Sequence, residues 1–316
     1  LGLLPHASAD YIHWVDFRLS APVLRSALEL DMASQGGEQP LDWIDILALA
    51  AAWRGGTGVT VADTQRAAQA LRGDTPPERL PGMAGRYFSY YREAYGAALG
   101  GLAGHFAIRR TDPQTGEAEW IPAYGLKAFS PIAAGYPWSH YPDFGAQRSY
   151  GYARPHLGND ILGALGTPIC AVEGGTVEAL GWNRYGGWRI GIRSDDRKRY
   201  YYYAHLRKDT PYAEGLAVGQ RVQAGDVIGF MGRTGYSAQE NVNNIETVHL
   251  HFGLQLIFDE SQKECDSEIW IDVYPLIELL ASHCSSVARD PQTGRWERLY
   301  PYCDLDAEPL RSAAAR

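Results

Sequence analysis

Two segments decide the fold prediction for this chain: Tyr200-Tyr-Tyr-Tyr-Ala-His-Leu206 and Val248-His-Leu-His-Phe-Gly-Leu-Gln-Leu-Ile257. Both are short runs of aromatic and apolar residues, which is typical of β-strands. Three further runs of the same kind lie between residues 154 and 248: Thr176-Val-Glu-Ala-Leu180, Trp188-Arg-Ile-Gly-Ile192 and Asp226-Val-Ile-Gly-Phe-Met231. Because glycines punctuate short strands at regular spacing, we expect an antiparallel sandwich or open barrel from residue 154 to about residue 280.

The first hundred residues follow a helical pattern instead. Four helices are predicted, beginning after Ser20, at Leu41, after a cap at Asp63 and at Gly85. The second helix is expected to end at Gly55-Gly56, and the fourth carries a tyrosine stripe with the spacing of a packed helix face. The fold class predicted for the whole chain is therefore α+β, with a helical N-terminal domain followed by the β domain.

A hairpin is predicted where the helical pattern stops, because two apolar runs flank the turn sequence Asp112-Pro-Gln-Thr-Gly116. The same pentapeptide recurs at Asp290-Pro-Gln-Thr-Gly294, where a second hairpin turn is predicted. The stretch from Ile269 to Leu280 returns to a helical pattern, and the helix is expected to begin near Asp272 and Pro275. The expected division is a helical accessory domain (1–105), a hairpin and aromatic linker (106–144), a β domain (145–285) and a C-terminal extension (286–316).

Composition excludes several classes of protein. The 316 residues carry a formal net charge of −8, so a general nucleic-acid binder is not expected, since phosphate contacts need clustered basic residues. With 45% hydrophobic and 21% charged residues, the chain has the composition of a globular protein rather than a disordered one. No apolar run reaches the roughly 20 residues of a membrane span. Because the chain begins at Leu1 rather than methionine, loss of an N-terminal export or anchoring segment is one expectation and a trimmed chain is another.

Four cysteines are present, and no two of them form a CxxC pair, so a cysteine-type zinc site is not expected. Cys170 lies in an apolar, strand-like run and is predicted to be a buried small hydrophobe. The other three, Cys265, Cys284 and Cys303, could include one disulfide near the C-terminus.

Three short segments hold the residues that point to chemistry: His156-Leu-Gly-Asn-Asp160, Tyr203-Ala-His205 and His249-Leu-His251. Side chains two apart on a strand share a face, so His249 and His251 are expected together, as are Tyr201, Tyr203 and His205. His156 and Asp160 share a face if their segment is extended. Two imidazoles and a carboxylate suit catalytic zinc, which leaves a fourth position open for water. At this point it stays open which histidine of the HxH pair would bind the metal.

The order of the motifs resembles a known family. Arg154-Pro-His156-Leu-Gly-Asn-Asp160, Gly166-Thr-Pro-Ile, Gly174-Gly-Thr-Val, Tyr203-Ala-His205-Leu, the stretch from Val218 to Gly229, Gly232-Arg-Thr-Gly235 and His249-Leu-His251-Phe follow one another along the chain. This order is similar to that of the M23 peptidases, the lysostaphin and LytM-like zinc endopeptidases of bacterial cell walls. The resemblance covers about residues 145 to 260, and it implies a β domain of the LytM type.

The resemblance implies a role for each residue of the constellation. His156, Asp160 and His251 match the family's zinc ligands, with one Zn²⁺ per chain. His205 and His249 match its catalytic histidines that do not bind metal. Asn159 departs from the pattern, which usually has an apolar residue there.

The function that the resemblance implies is hydrolysis of peptide bonds in bacterial peptidoglycan stems or cross-bridges, at an extracytoplasmic location. The alternative is a non-catalytic M23-like module that binds a partner or regulates another cell-wall hydrolase. All five positions of the constellation hold the residue types of the family, which favours the enzyme over the non-catalytic module. A lipoyl-type or biotinyl-type carrier is not expected, because Val218 to Gly229 contains no lysine for the cofactor. We further expect the helical region or the aromatic linker to restrict access to zinc.

Overall fold

A computed structural model describes residues 11–149, 153–263 and 267–307 of the chain. Leu1 and Cys265, on which two of the expectations above rest, lie outside these residues. The predicted α+β class is confirmed. Four helices form the N-terminal part, α1 Ala21–Ser34, α2 Trp43–Arg54, α3 Val61–Leu71 and α4 Met83–Leu99, and a short helix, α5 Tyr274–Leu280, follows the sheet.

Local signals explain where these helices begin and end. Pro22 lies in the first turn of α1, where its missing N–H costs nothing. Asp42 caps α2 by accepting a hydrogen bond from the Ile44 N–H, and Gly55 ends that helix in the left-handed conformation at φ 63°. The cap predicted at Asp63 is wrong by three residues. Thr60 is the N-cap of α3, and Asp63 is its capping-box partner at the third helical position.

The strands, in chain order, are β1 Ala103–Thr111, β2 Ala118–Leu126, β3 Trp138–His140, β4 Gln147–Arg148, β5 Arg154–Pro155, β6 Asn159–Gly163, β7 Pro168–Cys170, β8 Gly175–Asn183, β9 Gly187–Ser194, β10 Arg199–Ala204, β11 Arg221–Val222, β12 Val227–Phe230, β13 His249–Leu256, β14 Ile269–Trp270, β15 Val287–Arg289, β16 Trp296–Arg298 and β17 Tyr302–Asp304.

One antiparallel sheet organises the β domain. Its strand order is β11-β8-β9-β10-β13-β6-β3, with β14 added beside β13, and the described strands do not close into a barrel. The two segments quoted at the outset, β10 and β13, are adjacent in the middle of this sheet, with Tyr203 opposite Phe252 and Ala204 opposite His251. β6 continues the sheet on the other side of β13, where Asp160 lies opposite His251.

The two identical pentapeptides form identical turns. In each, the aspartate carboxylate accepts two backbone N–H groups and the aspartate carbonyl accepts the glycine N–H, at 2.9 Å in Asp112–Gly116 and 2.8 Å in Asp290–Gly294. The first turn joins β1 to β2 and the second joins β15 to β16. Strand β17, near the end of the described chain, pairs with β1.

The helix expected to begin near Asp272 and Pro275 is confirmed: α5 begins at Tyr274, and Pro275 lies in its first turn, where proline is favoured. Before it, Ile269 and Trp270 extend the sheet by pairing with Leu256 and Gln255. One predicted segment needs correction. The segment Tyr200 to Leu206 is a strand only as far as Ala204.

The buried apolar side chains form one contiguous cluster that runs from the helices into the sheet. Cys170 is fully buried, as predicted, and Cys170, Cys284 and Cys303 carry free thiols. Of the three cysteines that could include a disulfide, Cys284 and Cys303 are therefore not paired, and Cys265 lies outside the described residues. Among the residues that the structure describes, no helix is both long and apolar enough to cross a membrane.

Candidate metal centre

Three predicted ligands converge at one edge of the β13–β6 pair. His251 on β13 and Asp160 on β6 face each other in the strand register, and His156 reaches them from the loop after β5. His156 Nε2 lies 2.8 Å from His251 Nδ1 and 3.0 Å from Asp160 Oδ1. His251 Nδ1 lies 3.2 Å from the same carboxylate oxygen.

This triangle fits a metal ion. Tetrahedral coordination with bonds of about 2.0–2.1 Å places ligand atoms about 3.3 Å apart, close to the separations of these three atoms. The side chains are mostly buried, at 5% exposed for His156 and 15% for Asp160 and His251. Within the described ranges, this is the one His/Cys/Asp/Glu group whose ligand atoms lie close enough together to hold an ion. Two imidazoles and one carboxylate suit Zn²⁺ and related first-row metals.

Asp143, which the sequence analysis missed, holds His156 in position. Its Oδ2 lies 3.2 Å from His156 Nδ1, and its backbone carbonyl oxygen lies 3.1 Å from the same nitrogen. Because both are acceptors, the proton of a neutral His156 sits on Nδ1, which leaves the Nε2 lone pair for a metal. The only signal in the sequence is an acidic residue in a Pro- and Gly-rich stretch thirteen residues upstream, which carries no periodic pattern.

Asp143 is itself held by a buried polar network. Asn159 Nδ2 donates to Asp143 Oδ1 at 2.9 Å, and its Oδ1 lies 2.6 Å from His140 Nδ1. Arg148 Nη2 bridges Asp143 and Asp160 at 3.0 and 2.9 Å. The departure from the family pattern at Asn159 therefore has a structural role. An apolar residue there would leave Asp143 Oδ1 without this donor.

We expect Asp143→Asn to weaken metal binding by about 10- to 100-fold, the usual cost of losing an orienting partner. An asparagine oxygen still accepts a hydrogen bond but carries no charge, so His156 becomes a weaker ligand. Titration of the metal-free protein with Zn²⁺ measures this change. Asp112→Asn is the matched control, since that aspartate belongs to a distant exposed turn. Equal affinity of wild type and Asp143→Asn would contradict the role.

The two other predicted histidines lie beside the triangle. The ring centroid of His205 is 4.7 Å from that of His249 and 5.9 Å from that of His251. His205 Nδ1 lies 2.9 Å from the Thr234 carbonyl oxygen, and His249 Nδ1 lies 2.9 Å from the Thr247 carbonyl oxygen. A carbonyl only accepts, so each neutral ring is protonated on Nδ1 and has its Nε2 lone pair available.

Ionisation in this cluster follows from burial and mutual charge. Burial, and then the charges of His249 and His251, hold the pKa of His205 well below its usual value, so that ring is neutral at pH 7. Burial also lowers the pKa of His251. For His156, burial is outweighed by hydrogen bonds to Asp143 and Asp160, which raise its pKa to about 9. At Asp160, hydrogen bonds with His156 and His251 outweigh the effect of burial and hold the pKa of that carboxyl well below its usual range.

The predicted shared face of Tyr201, Tyr203 and His205 is wrong. The two tyrosines are fully buried in the core, whereas His205 lies on the opposite face of the sheet, with His249 and His251. The reason is backbone geometry. β10 ends at Ala204, and His205 adopts φ 61°, which breaks the alternation of side chains. The predicted shared face of His249 and His251 is confirmed, with Leu250 between them pointing into the core.

A cavity of about 360 Å³ opens from this centre across the sheet. The side chains around it come from residues 148 to 270 and are mostly aromatic or basic; among them are Arg154, Tyr185, Arg189, Tyr202, Tyr236 and Trp270. None of the described helices in the first hundred residues lines it. The expectation that the helical region restricts access is therefore not met by α1–α4.

A family model matches the part of the chain that contains this site. Residues 154–264 match the family model described as peptidase family M23, so the chain carries an M23 peptidase domain. The match contains His156, Asp160, His205, His249 and His251.

Curated relatives align with this part of the chain. An L-Ala--D-Glu endopeptidase of Bacillus subtilis is 40% identical over 130 residues, which are 41% of this chain and 38% of that protein. The glycyl-glycine endopeptidase ALE-1 of Staphylococcus capitis is 38% identical over 98 residues, 31% of this chain and 24% of that protein. The chain thus spans well under half the length of these relatives.

Among solved structures, a LytM-type protein from Ruminococcus gnavus is similar over 89% of this chain and 94% of its own, with 24% identity and a TM-score of 0.49. The catalytic domain of lysostaphin from Staphylococcus simulans is 29% identical, covering 45% of this chain and 92% of its own, with a TM-score of 0.33.

Proposed function

We propose that this protein is a zinc-dependent endopeptidase that hydrolyses peptide bonds of bacterial peptidoglycan, in the stem or the cross-bridge. One observation carries the proposal. His156 Nε2, Asp160 Oδ1 and His251 Nδ1 meet within hydrogen-bonding distance of one another inside an M23 domain, with His205 and His249 alongside. We also propose the ligand and catalytic roles predicted for these five residues.

The chain's own residues account for the steps of hydrolysis. His156, Asp160 and His251 would hold one Zn²⁺, which when bound lowers the pKa of a water ligand to about 7 and polarises the carbonyl. His249 would accept a proton at Nε2, since its Nδ1 is engaged with the Thr247 carbonyl. The proton that His249 accepts would then pass to the leaving amine, and His205, neutral and buried with its proton on Nδ1, would offer its Nε2 lone pair as a second acceptor. No HExxH glutamate occurs in the sequence, so a histidine takes the place of the carboxylate base.

The substrate class is proposed from the relatives. Their names describe cleavage of an L-Ala–D-Glu bond and of a glycyl-glycine bond. Both kinds of bond occur in peptidoglycan peptides, in stems and in cross-bridges respectively. Such a substrate lies outside the cytoplasmic membrane, so we propose an extracytoplasmic location.

Metal analysis and a hydrolysis assay test the proposal together. We expect one zinc per chain, release of new amino termini from purified peptidoglycan, loss of activity with a chelator and its return with Zn²⁺. Mass spectrometry of the products identifies the bond that is cut. Protein that holds no zinc and hydrolyses no peptidoglycan after zinc is restored would favour the non-catalytic module instead.

A further inference from the structure

Arg189 is a basic residue beside the cavity, and the proposed hydrolytic mechanism gives it no role. It lies on β9, and its guanidinium lines the cavity that opens from the candidate metal centre. Its Nε–H is buried and has no hydrogen-bond partner. Among the described residues, none forms an ion pair with Arg189. A buried N–H donor without an acceptor is costly in free energy.

Two other basic groups around the cavity have carboxylate partners. Arg148 is bound to Asp143 and Asp160, and Lys263 is bound to Glu178. Among the residues that the structure describes, four basic side chains line the cavity, Arg148, Arg154, Arg189 and Lys263, together with two carboxylates, Asp160 and Glu268. Asp160 belongs to the metal triangle, and Glu268 accepts a hydrogen bond from the Trp270 indole at 2.8 Å. The described part of the lining therefore has more basic than acidic groups. The Arg189 side chain contacts the Tyr200 side chain, and its Nε–H is the donor that a ligand can complete.

The strand register gives the distance between this cation and the reacting centre. Ala204 lies opposite His251 on β13, and the β10–β9 register, continued from its last pair Tyr203–Ile190, places Arg189 opposite Ala204. Adjacent strands are about 4.8 Å apart, so the backbones of His251 and Arg189 are about 10 Å apart, with only a methyl side chain between them. A peptide residue spans at most about 3.6 Å, so the guanidinium can reach a substrate group within one or two residues of the bond at the metal.

Two tyrosines form the surface beside Arg189. A Cβ on Gly191 would lie 1.9 Å from the Tyr200 hydroxyl, and one on Gly186 would lie 2.2 Å from the Tyr202 hydroxyl. Gly191 on β9 therefore leaves room for the Tyr200 hydroxyl, and Gly186, just before β9, leaves room for the Tyr202 hydroxyl. The Tyr202 hydroxyl accepts from Asn183 Nδ2 at 2.9 Å, which fixes that ring. Arg189 thus stands at the edge of a rigid aromatic surface rather than in open solvent.

We propose that Arg189 is a specificity residue that binds a free carboxylate on the substrate, next to or one residue away from the scissile bond. The inference rests on the proposed function, and it narrows the substrate class to anionic stem peptides rather than uncharged glycine bridges. A planar guanidinium pairs with a carboxylate through two charge-assisted hydrogen bonds, which would also satisfy the buried Nε–H. A carboxamide has one neutral acceptor oxygen and no negative charge, so its hydrogen bond to the guanidinium is weaker.

A pair of matched peptides tests the proposal. Each contains an alanyl–D-glutamyl unit in which a ketomethylene group replaces the scissile amide, and the two differ only in a free α-carboxylate or a carboxamide on the D-residue. Both share any contact with the metal, so the ratio of their Kd values reports the carboxylate site. Calorimetry with the zinc-loaded full chain is expected to show at least about tenfold tighter binding of the carboxylate form.

Variants of two neighbouring arginines assign the effect. Arg189→Gln is expected to bring the two Kd values within about twofold of each other, and Arg189→Lys to restore part of the difference, since lysine supplies the charge without the fork. Arg184→Gln is the control; this exposed arginine lies five residues away, outside the cavity, and should keep the wild-type ratio. Bound zinc, measured for each variant, checks that the metal centre is intact.

Two outcomes overturn the inference: equal binding of the two peptides by wild type, or an unchanged ratio in Arg189→Gln. Failure of the proposed function is a separate result, since it is measured as absence of peptidoglycan hydrolysis by zinc-loaded protein. Because the binding assay needs no turnover, it decides the role of Arg189 in either case.

Discussion

Replacing His251 by alanine is expected to abolish zinc binding and peptidase activity together. The side chain supplies one corner of the triangle, 2.8 Å from His156 Nε2 and 3.2 Å from Asp160 Oδ1. Without it two protein ligands remain, one short of the three that catalytic zinc sites use. We expect zinc content to fall from one per chain to a background level, and kcat/KM on peptidoglycan peptides to fall below detection.

Replacing His249 by alanine is expected to separate metal binding from turnover. His249 lies two residues away on the same strand face, but its Nε2 is 3.7 Å from Asp160 Oδ1, and it is not part of the triangle. Zinc should stay bound, while kcat falls by about 10²- to 10⁴-fold because a proton-transfer group is lost. Metal analysis and steady-state kinetics on the same samples separate the two effects.

An exposed histidine serves as the control for both variants. His105 has a 63% exposed side chain beside Asp306, and His105→Ala should keep both zinc and activity. Full activity in His251→Ala and His249→Ala would show that the roles are assigned wrongly. If His249→Ala lost zinc and His251→Ala retained it, the ligand role would belong to His249 and the proton-transfer role to His251.

The second large effect is expected at Arg199, which joins the helices to the sheet. This guanidinium is fully buried on β10 and pairs with Glu173 through Nε at 2.7 Å and Nη2 at 3.1 Å. Its Nη1 donates to the Ala97 carbonyl at 2.7 Å, near the C-terminal end of α4, where carbonyls have no partner within the helix. The Tyr201 hydroxyl also donates to Glu173, at 2.6 Å.

Arg199→Ala should destabilise the protein by about 3–5 kcal/mol, because it leaves the Glu173 carboxylate buried without a cation. Urea unfolding, followed by tryptophan fluorescence, measures the change. Arg92→Ala is the matched control: Arg92, on α4, pairs with Asp45 on α2 in an exposed ion pair, so its loss should cost about 1 kcal/mol or less. Similar losses of stability for the two variants would contradict a structural role for the buried pair.

Much of the fold was predictable because its signals are local. The caps and glycines around α1 and α2 act within a few residues, and the apolar runs that became β8, β9, β10 and β13 have the composition of strands. The errors also have local causes. Capping of α3 depends on Thr60 and Asp63 together, and the strand predicted over Tyr200 to Leu206 ends at Ala204 because His205 adopts φ 61°.

The candidate site was predictable in its residue types but not in its geometry. Alternation along one strand placed His249 and His251 on one face, since period two is a property of the strand itself. The face of the sheet on which His205 lies could not be predicted. It depends on the left-handed backbone conformation of His205 itself, directly after the end of β10. Asp143 could not be found either, because its contact with His156 is made by a loop that carries no periodic pattern.

By itself, the sequence determined the α+β class, the strands that form the sheet and the histidines and aspartate that can carry chemistry. The tertiary structure alone decided which side chains meet across long separations. Asp143 orients His156, Arg189 faces the cavity, and Arg199 reaches the Ala97 carbonyl across 102 residues of chain. Propensity, capping and alternation act over a few residues. A hydrogen bond or ion pair between distant segments exists only once packing has brought its two partners together.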